Sequence, residues 1–160
     1  MKILELNEVM HLLPDDVDFE CVSICNTLNR LPGLINYESC SGHGERPFYI
    51  WFRCDNIDTL SRLGRVIDRR YSDGNWEIIL DSCDGNPRGC FWLRTKSILP
   101  NDELYDSLAG LEENILYWFQ DDFDEYFKAG CAECGIKEEP DIELAKSIID
   151  YTVKELRSEN

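Results

Sequence analysis

The sequence lacks the features of a membrane or secreted protein. No apolar run is long enough to cross a bilayer, and the N-terminus, MKILELNEVM, has early glutamates instead of a basic region followed by an apolar core. We therefore expect a soluble, cytoplasmic protein without a membrane partner. In that compartment the eight cysteines are expected to be reduced thiols, some buried and some available as metal ligands.

Basic residues are also scarce. The chain has 16 Lys and Arg against 32 Asp and Glu, which gives a net charge of −16. Residues 41–100 carry nine basic and eight acidic groups, whereas residues 101–160 carry five and seventeen. A negative field repels phosphate backbones at long range, which disfavours nucleic acid as a partner. The acidic C-terminal part is either a solvated surface or a face that binds a basic protein partner.

Hydrophobic periodicity divides the chain into three parts of one expected domain, residues 1–160. The first part, 15–54, contains a helix over 15–30 with Asp15 or Asp16 as its N-cap, followed by strands over 34–40 and 48–54. The second part, 55–96, repeats that order with a helix over 56–71 and strands over 76–81 and 90–96. The third part, 101–160, is acidic and reads as helical.

The first two parts look like an internal repeat. A gapless shift of 43 residues aligns their apolar positions, and both hairpin loops begin Ser-Cys-x-Gly, at Ser39 and Ser82. We therefore predict an α+β fold in which two αββ units share a mixed four-stranded sheet, with the C-terminal helices packed on it. A helical crossover from Cys54 to Trp76 makes the second and third strands parallel, so the two loops should lie at opposite ends of the sheet.

The loop SCSGHGER, residues 39–46, has the density of reactive and flexible residues expected of a site. A cysteine beside a histidine can form a stabilised thiolate, and glycines allow backbone amides to surround an anion. The alternative is a hairpin turn with a buried cysteine and a surface histidine. The candidate catalytic residues are Cys40 and His43, and the candidate ligand-binding residues are Ser39, Ser41, Gly42, Gly44, Arg46 and Arg53.

The stretch LINYESCSG, between a helix ending in Leu-Pro and a hydrophobic strand, resembles the start of the wybutosine-synthesis tRNA methyltransferase family. The likeness covers about residues 18–54 and rests on Ser39, Cys40, Ser41 and Gly42, which match the family's Ser-Cys-Ser-Gly-Arg signature. His43 stands where the family has arginine. The resemblance implies a methyltransferase-like α+β fold that uses S-adenosylmethionine and acts on a hypermodified guanosine.

A second motif, CAECG at residues 131–135, is a Cys-x-x-Cys knuckle. Cys131 and Cys134 could supply half of a tetrahedral zinc site, form a redox pair, or stand unliganded in a turn at a helix end. A closed zinc site needs two further ligands. The candidates are Cys83 with Cys90, Cys40 with His43, or Cys21 with Cys25, although the last two cysteines have the spacing of core residues on a helix.

Two function classes follow from these features. The first is a small-molecule or nucleotide-binding protein whose loop 39–46 binds a small anionic ligand, with or without catalysis by Cys40 and His43. The second is a noncatalytic acidic interaction module, such as a nucleic-acid mimic that blocks a basic partner through residues 101–160. A pocket that contains both Cys40 and His43 favours the first class, and a flat, continuous acidic face with these residues buried in a turn favours the second.

Overall fold

The computed structural model of the protein describes residues 2–81 and 90–120. A short helix α1, Leu6–Val9, leads through a 3₁₀ turn, Met10–Leu12, into the part of the chain that was predicted to repeat. The two αββ units are both present, and a long helix follows them. Their elements are α2 Phe19–Asn29, β1 Leu34–Cys40, β2 Tyr49–Cys54, α3 Ile57–Val66, β3 Trp76–Asp81, β4 Cys90–Thr95 and α4 Asn101–Trp118.

The four strands form one sheet in the order β1-β2-β4-β3, and every neighbouring pair is antiparallel. The α+β prediction is confirmed, and β2 and β3 run in the same direction as predicted. However, β4 lies between them, so the sheet is antiparallel and the prediction of a mixed sheet is wrong in this detail. The helical crossover fixes the direction of β3, but the β3–β4 hairpin then places β4 beside β2.

The two hairpins close at opposite ends of this sheet. Cys40 pairs with Tyr49 at one end, whereas Asp81 pairs with Cys90 at the other. Arg53 also pairs with Cys90, which places the C-terminal half of β2 at that second end. The ends of β1 and β3 that lead into the two hairpin loops are therefore at opposite ends of the sheet, as predicted, and the loop 82–89 itself lies outside the described residues.

One face of the sheet carries the hydrophobic core. Alternate residues of β2 and β4 are buried there, and α2, α3 and α4 contribute apolar side chains to the same cluster. The opposite face carries aromatic rings from three strands, with centroid separations of 5.5 Å for Tyr37 and Trp51, 6.1 Å for Trp51 and Trp92, and 4.9 Å for Trp92 and Tyr49. The alternation is the expected consequence of the two-residue period of a strand.

Helix α2 is held to the sheet by a buried stripe. Cys21, Ile24, Cys25 and Leu28 recur at helical spacing and are each at most 1% exposed, as expected of core residues. Burial raises the pKa of the Cys21 thiol to about 12 and that of Cys25 to about 11. Both thiols are therefore protonated at neutral pH.

Several predictions concern residues beyond the described ranges. The loop 82–89, the knuckle of Cys131 and Cys134 and the helices expected after residue 120 lie outside the part of the chain that the structure describes. They stay predictions. Among the described helices, none combines the length and the apolar character needed to cross a membrane.

Candidate functional site

Three side chains that can bind a metal ion come together at one end of the sheet. Asp18, Cys40 and His43 each offer one ligand atom, and these atoms all lie within 4.8 Å of one another. Cys40 ends β1 and His43 lies in the loop that follows, so the structure unites the two predicted catalytic residues. Asp18 comes from a different element, because it is the N-cap of α2.

The loop is tightly curved at His43. Gly42, His43 and Gly44 have φ angles of 83°, 52° and 74°, so three consecutive residues adopt the left-handed conformation. A Cβ atom at Gly42 would overlap the carbonyl oxygen of Arg46, which restricts this position to glycine. The Gly42 carbonyl accepts hydrogen bonds from the backbone N–H groups of Glu45 at 2.9 Å and Arg46 at 3.2 Å. This turn holds the His43 backbone beside the end of β1.

The carboxylate of Asp18 is bound to the same loop. Its Oδ2 accepts a hydrogen bond of 2.9 Å from the backbone N–H of Ser41. This bond is the main cause that lowers the pKa of Asp18; burial opposes it, and the Ser41 hydroxyl and His43 reinforce it. Asp18 is therefore ionised at neutral pH and brings a negative charge to the cluster.

His43 faces two different partners through its two ring nitrogens. Its Nε2 lies 3.4 Å from Oδ2 of Asp18, and its Nδ1 lies 3.4 Å from the hydroxyl oxygen of Ser41. Charge-assisted N–H···O bonds are usually about 2.7–2.9 Å long, so the contact with Asp18 is long for a direct ion pair. The His43 side chain is 60% exposed, which leaves one side of the ring open to solvent.

Cys40 is the buried member of the cluster. The residue is 8% exposed, and its Sγ accepts the backbone N–H of Gly42 at 3.4 Å. Its neighbour across the sheet, Tyr49, donates its hydroxyl proton to Oε1 of Glu38 at 2.7 Å. Burial, followed by the bond to Glu38, raises the pKa of Tyr49 to about 12, so this hydroxyl stays neutral beside the thiol.

One separation in the cluster has the value expected around a tetrahedral metal ion. Nitrogen and oxygen ligands about 2.0–2.1 Å from a zinc ion at tetrahedral angles lie about 3.3–3.4 Å from each other. The separation of 3.4 Å between His43 Nε2 and Asp18 Oδ2 has this value. Thiolate, imidazole and carboxylate are also the three ligand types that zinc accepts. The residues present therefore fit the metal.

The remaining predicted residues fall into two groups. Ser41, Gly42 and Gly44 lie in or beside the loop, and the charge of Arg46 acts on Tyr49 nearby. Ser39 and Arg53 do not reach the cluster.

Ser39 and Arg53 are placed elsewhere. The Ser39 hydroxyl acts on the thiols of Cys21 and Cys25 in the core, where it lowers the pKa of each thiol against the larger effect of burial. Arg53 lies four residues beyond Tyr49 along β2, a distance of about 13 Å at about 3.3 Å per residue. It lines a separate shallow cavity of about 230 Å³ with Tyr37 and Asp55. The structure therefore does not bring Arg53 to the loop.

Asp18 is the residue that sequence reasoning missed. The helix was expected to begin earlier, with Asp15 or Asp16 as its cap, but the N-cap is Asp18. One signal was available, because an Asp directly before the apolar period of α2 is a typical cap. Its contact with the loop depends on how α2 packs beside β1, which the linear pattern does not contain.

Comparisons of the chain with family models, with curated proteins and with solved structures gave no match. The resemblance to the wybutosine-synthesis methyltransferases therefore stays a prediction.

Proposed function

We propose that the protein binds a zinc ion through Asp18, Cys40 and His43, and that the resulting centre binds a small anionic molecule. The observation that carries the proposal is the convergence of a thiol, an imidazole and a carboxylate within 4.8 Å. These groups come from two separate elements of the fold, the N-cap of α2 and the end of the β1–β2 hairpin. Their meeting is thus a property of the tertiary structure and not of a short sequence motif.

The donor set favours zinc over the abundant hard cations. Magnesium and calcium prefer sites built entirely from oxygen, whereas a cysteine sulfur and a histidine nitrogen select softer divalent ions. The depressed pKa of Asp18 keeps its carboxylate available as a ligand at neutral pH.

Among the residues that the structure describes, three side chains form the cluster, and three protein ligands are typical of a zinc ion that also binds water or another molecule. Structural zinc sites usually have four protein ligands. The exposed side of His43 provides access from solvent. Zinc in such a site polarises a bound oxygen ligand and lowers the pKa of bound water, which is the chemistry of hydrolytic centres. Carboxylates and phosphates are the ligands that fit the open position.

The direct test is a zinc titration against a chromogenic chelator. The protein should carry Cys131→Ser and Cys134→Ser, because the Cys-x-x-Cys knuckle is a separate candidate for zinc. This double variant should bind about one equivalent of zinc, and adding Cys40→Ser or His43→Ala should remove that binding. His11→Ala is the matched control, since His11 is the other histidine and is exposed in the 3₁₀ turn.

The anionic ligand is tested on the same samples. Inorganic phosphate or acetate should raise the melting temperature of the zinc-loaded double variant more than that of the zinc-free protein, because only the loaded centre offers the open position. A double variant that does not compete with the chelator for zinc would reject the metal proposal. If zinc binds but neither anion distinguishes the two forms, the ion is structural and the binding function is wrong.

A further inference from the structure

We propose that a free α-amino acid with a large apolar side chain binds in the cavity lined by Gly33, Ile35, Tyr37, Arg53 and Asp55. The cavity has a volume of about 230 Å³ and lies where β1 begins and β2 ends. Sites for drug-sized ligands usually measure about 300–1,000 Å³, so this one suits a smaller molecule. The proposed metal cluster lies at the other end of the same two strands, and the amino-acid site does not depend on it.

Two opposite charges line the cavity without pairing. Arg53 and Asp55 are both exposed, and within the described ranges 2–81 and 90–120 neither side chain makes a hydrogen bond or an ion pair. They are two residues apart in extended chain, so they point to the same face about 6.6 Å from each other, at about 3.3 Å per residue. An α-amino acid has its ammonium and carboxylate groups on one carbon, so it can contact both charges at once.

The carboxylate of Asp55 is held against Gly33. The backbone N–H of Asp55 donates to the carbonyl of Gly33 at 3.1 Å, which continues the pairing of β1 and β2 beyond the last strand residues. A Cβ atom at Gly33 would overlap Oδ1 of Asp55, and the φ angle of Gly33 is 73°, so both the space and the backbone require glycine. This glycine therefore makes room for the group that would accept the ligand's ammonium.

Ile35 and Tyr37 give the cavity an apolar side. They are 49% and 52% exposed, although both are large apolar residues in a strand. Ile35 pairs with Arg53 across β1 and β2, so it lies beside the positive charge. The Tyr37 ring packs against Trp51 with centroids 5.5 Å apart, which holds the ring in place while half of it stays open to solvent. An apolar ligand side chain would cover this surface, which is favourable in water.

Arg94 shows that an arginine on this face can be paired within the sheet. It is also exposed, but its Nε donates to Oε1 of Glu77 at 2.7 Å, and Glu77 lies directly opposite it on β3. The residue opposite Arg53 on β1 is the apolar Ile35. Of the two guanidinium groups, that of Arg53 is therefore the one available to a ligand, and guanidinium binds a carboxylate through parallel N–H···O bonds.

The experiment is a titration of the ¹⁵N-labelled full chain with L-phenylalanine, followed in ¹H–¹⁵N correlation spectra with EDTA present. EDTA removes zinc, so the outcome does not depend on the proposed metal centre. Saturable shifts are expected at the amides of Gly33, Tyr37 and Asp55. N-acetyl-L-phenylalanine lacks the ammonium group and L-phenylalaninamide lacks the carboxylate. Each should bind roughly 3- to 10-fold more weakly, as expected for one charged contact that stays exposed to water.

Variants assign each charge of the ligand to its partner. Arg53→Gln should weaken the binding of L-phenylalanine roughly 3- to 10-fold but leave that of L-phenylalaninamide unchanged. Asp55→Asn should abolish the preference for L-phenylalanine over its N-acetyl form. Arg94→Gln is the matched control and should bind as the parent does.

Three results would overturn the proposal. One is the absence of saturable shifts at Gly33, Tyr37 and Asp55 in the parent. Another is equal affinity for L-phenylalanine and both derivatives, because the two charges would then not be recognised. The third is equal weakening in Arg53→Gln and Arg94→Gln, which would indicate general attraction to positive charge and not a site at Arg53.

Discussion

The two αββ units use their helix N-caps differently. In the second unit, the side chain of Asn56 accepts hydrogen bonds from the backbone N–H groups of Asp58 at 3.0 Å and Thr59 at 3.2 Å, so it caps its own helix. In the first unit, Asp18 occupies the corresponding N-cap but makes no side-chain bond to α2. Its carboxylate accepts the N–H of Ser41 in the hairpin loop instead. The same structural position thus supports a helix in one unit and a side-chain cluster in the other.

In the first unit, the N-cap side chain therefore binds the hairpin loop and does not stabilise its own helix. An N-cap bond typically stabilises a helix by about 1 kcal/mol, and α2 does without it. The helix keeps its place through the buried stripe that includes Ile24 and Leu28. A residue with cap chemistry that does not cap its helix is a structural sign of another role, and here that role is to hold the loop and to face His43.

The largest expected effect concerns zinc and the first unit. At a free zinc concentration of about 100 times Kd, the metal should stabilise the protein by about 2.7 kcal/mol, because it binds only the folded state. Urea unfolding of the Cys131→Ser, Cys134→Ser protein with zinc and with chelator measures this difference. Asp18→Ala should abolish most of the zinc-dependent increment, whereas Asn56→Ala should retain it. Equal increments in the two cap variants would show that the N-caps do not differ in function.

The second effect is a loss of stability at alkaline pH. The pKa values of Cys21 and Cys25 in α2 are raised to about 12 and about 11, and that of Cys54 at the end of β2 to about 11, in each case mainly by burial. Because the folded-state values exceed the unfolded value of about 9, their contribution is complete below pH 9 and is lost as the pH rises from 9 towards 11.

Each thiol should lower the free energy of unfolding by at most about 1.4 kcal/mol per pH unit in that window. Denaturant unfolding between pH 7 and pH 10.5 measures the slope. Cys25→Ala should make the slope shallower, even though it lowers the stability at pH 7 by removing a buried side chain. An unchanged slope would mean that the Cys25 thiol titrates alike in the folded and unfolded states.

A third effect isolates the cap that stabilises its own helix. Asn56→Ala should destabilise the protein by about 1 kcal/mol, because two backbone N–H groups of α3 lose their acceptor. Its zinc affinity should equal that of the parent, as α3 contributes no ligand to the cluster. The unfolding midpoint and the chelator titration of the same sample check both statements. A weaker zinc affinity in this variant would connect α3 to the site and remove the contrast between the units.

The fold was predictable because its signals are local and periodic. The αββ order, the strand Trp76–Asp81 and the opposite placement of the Cys40 and Asp81 strand ends follow from apolar spacing and from the repeat. Helix α3 ends at Val66 and not near residue 71, because the chain turns through Asp68, whose side chain accepts the backbone N–H of Arg70 at 2.9 Å. The order of the strands in the sheet was harder to predict, since a crossover determines the direction of a strand but does not determine which strand lies between two others.

The site was predictable only in part, for a related reason. Cys40 and His43 are close in sequence, so the loop itself suggested a reactive pair. Asp18 joins them because α2 packs beside β1, and Arg53 is too far along β2 to reach them. Both placements depend on the tertiary structure, which the linear sequence pattern does not contain. The same holds for Ser39, whose side chain points to the thiols of the core while that of Ser41 faces the cluster.

The prediction with the smallest effect on stability concerns the reactivity of the Cys40 thiol. Cys40 should be the most readily alkylated of the described cysteines near the site, because burial raises the pKa of Cys21 and Cys25 and keeps them protonated. His43→Ala should slow the reaction at Cys40 with little change in the melting temperature, and zinc should protect this thiol. Mass-spectrometric mapping of a short iodoacetamide pulse identifies each modified residue. Equal labelling of Cys40 with and without zinc would indicate that the thiol is not a ligand.

The most direct test of the central claim is cobalt spectroscopy of the Cys131→Ser, Cys134→Ser protein. Cobalt(II) reports on its own ligands, since a tetrahedral site gives intense visible bands and a thiolate adds a charge-transfer band in the near ultraviolet. We predict both signals at about one equivalent, their loss in Cys40→Ser and His43→Ala, and their displacement by zinc, which binds such sites more tightly than cobalt. Weak octahedral bands without thiolate charge transfer, or a spectrum unchanged by Cys40→Ser, would contradict a metal centre at Asp18, Cys40 and His43.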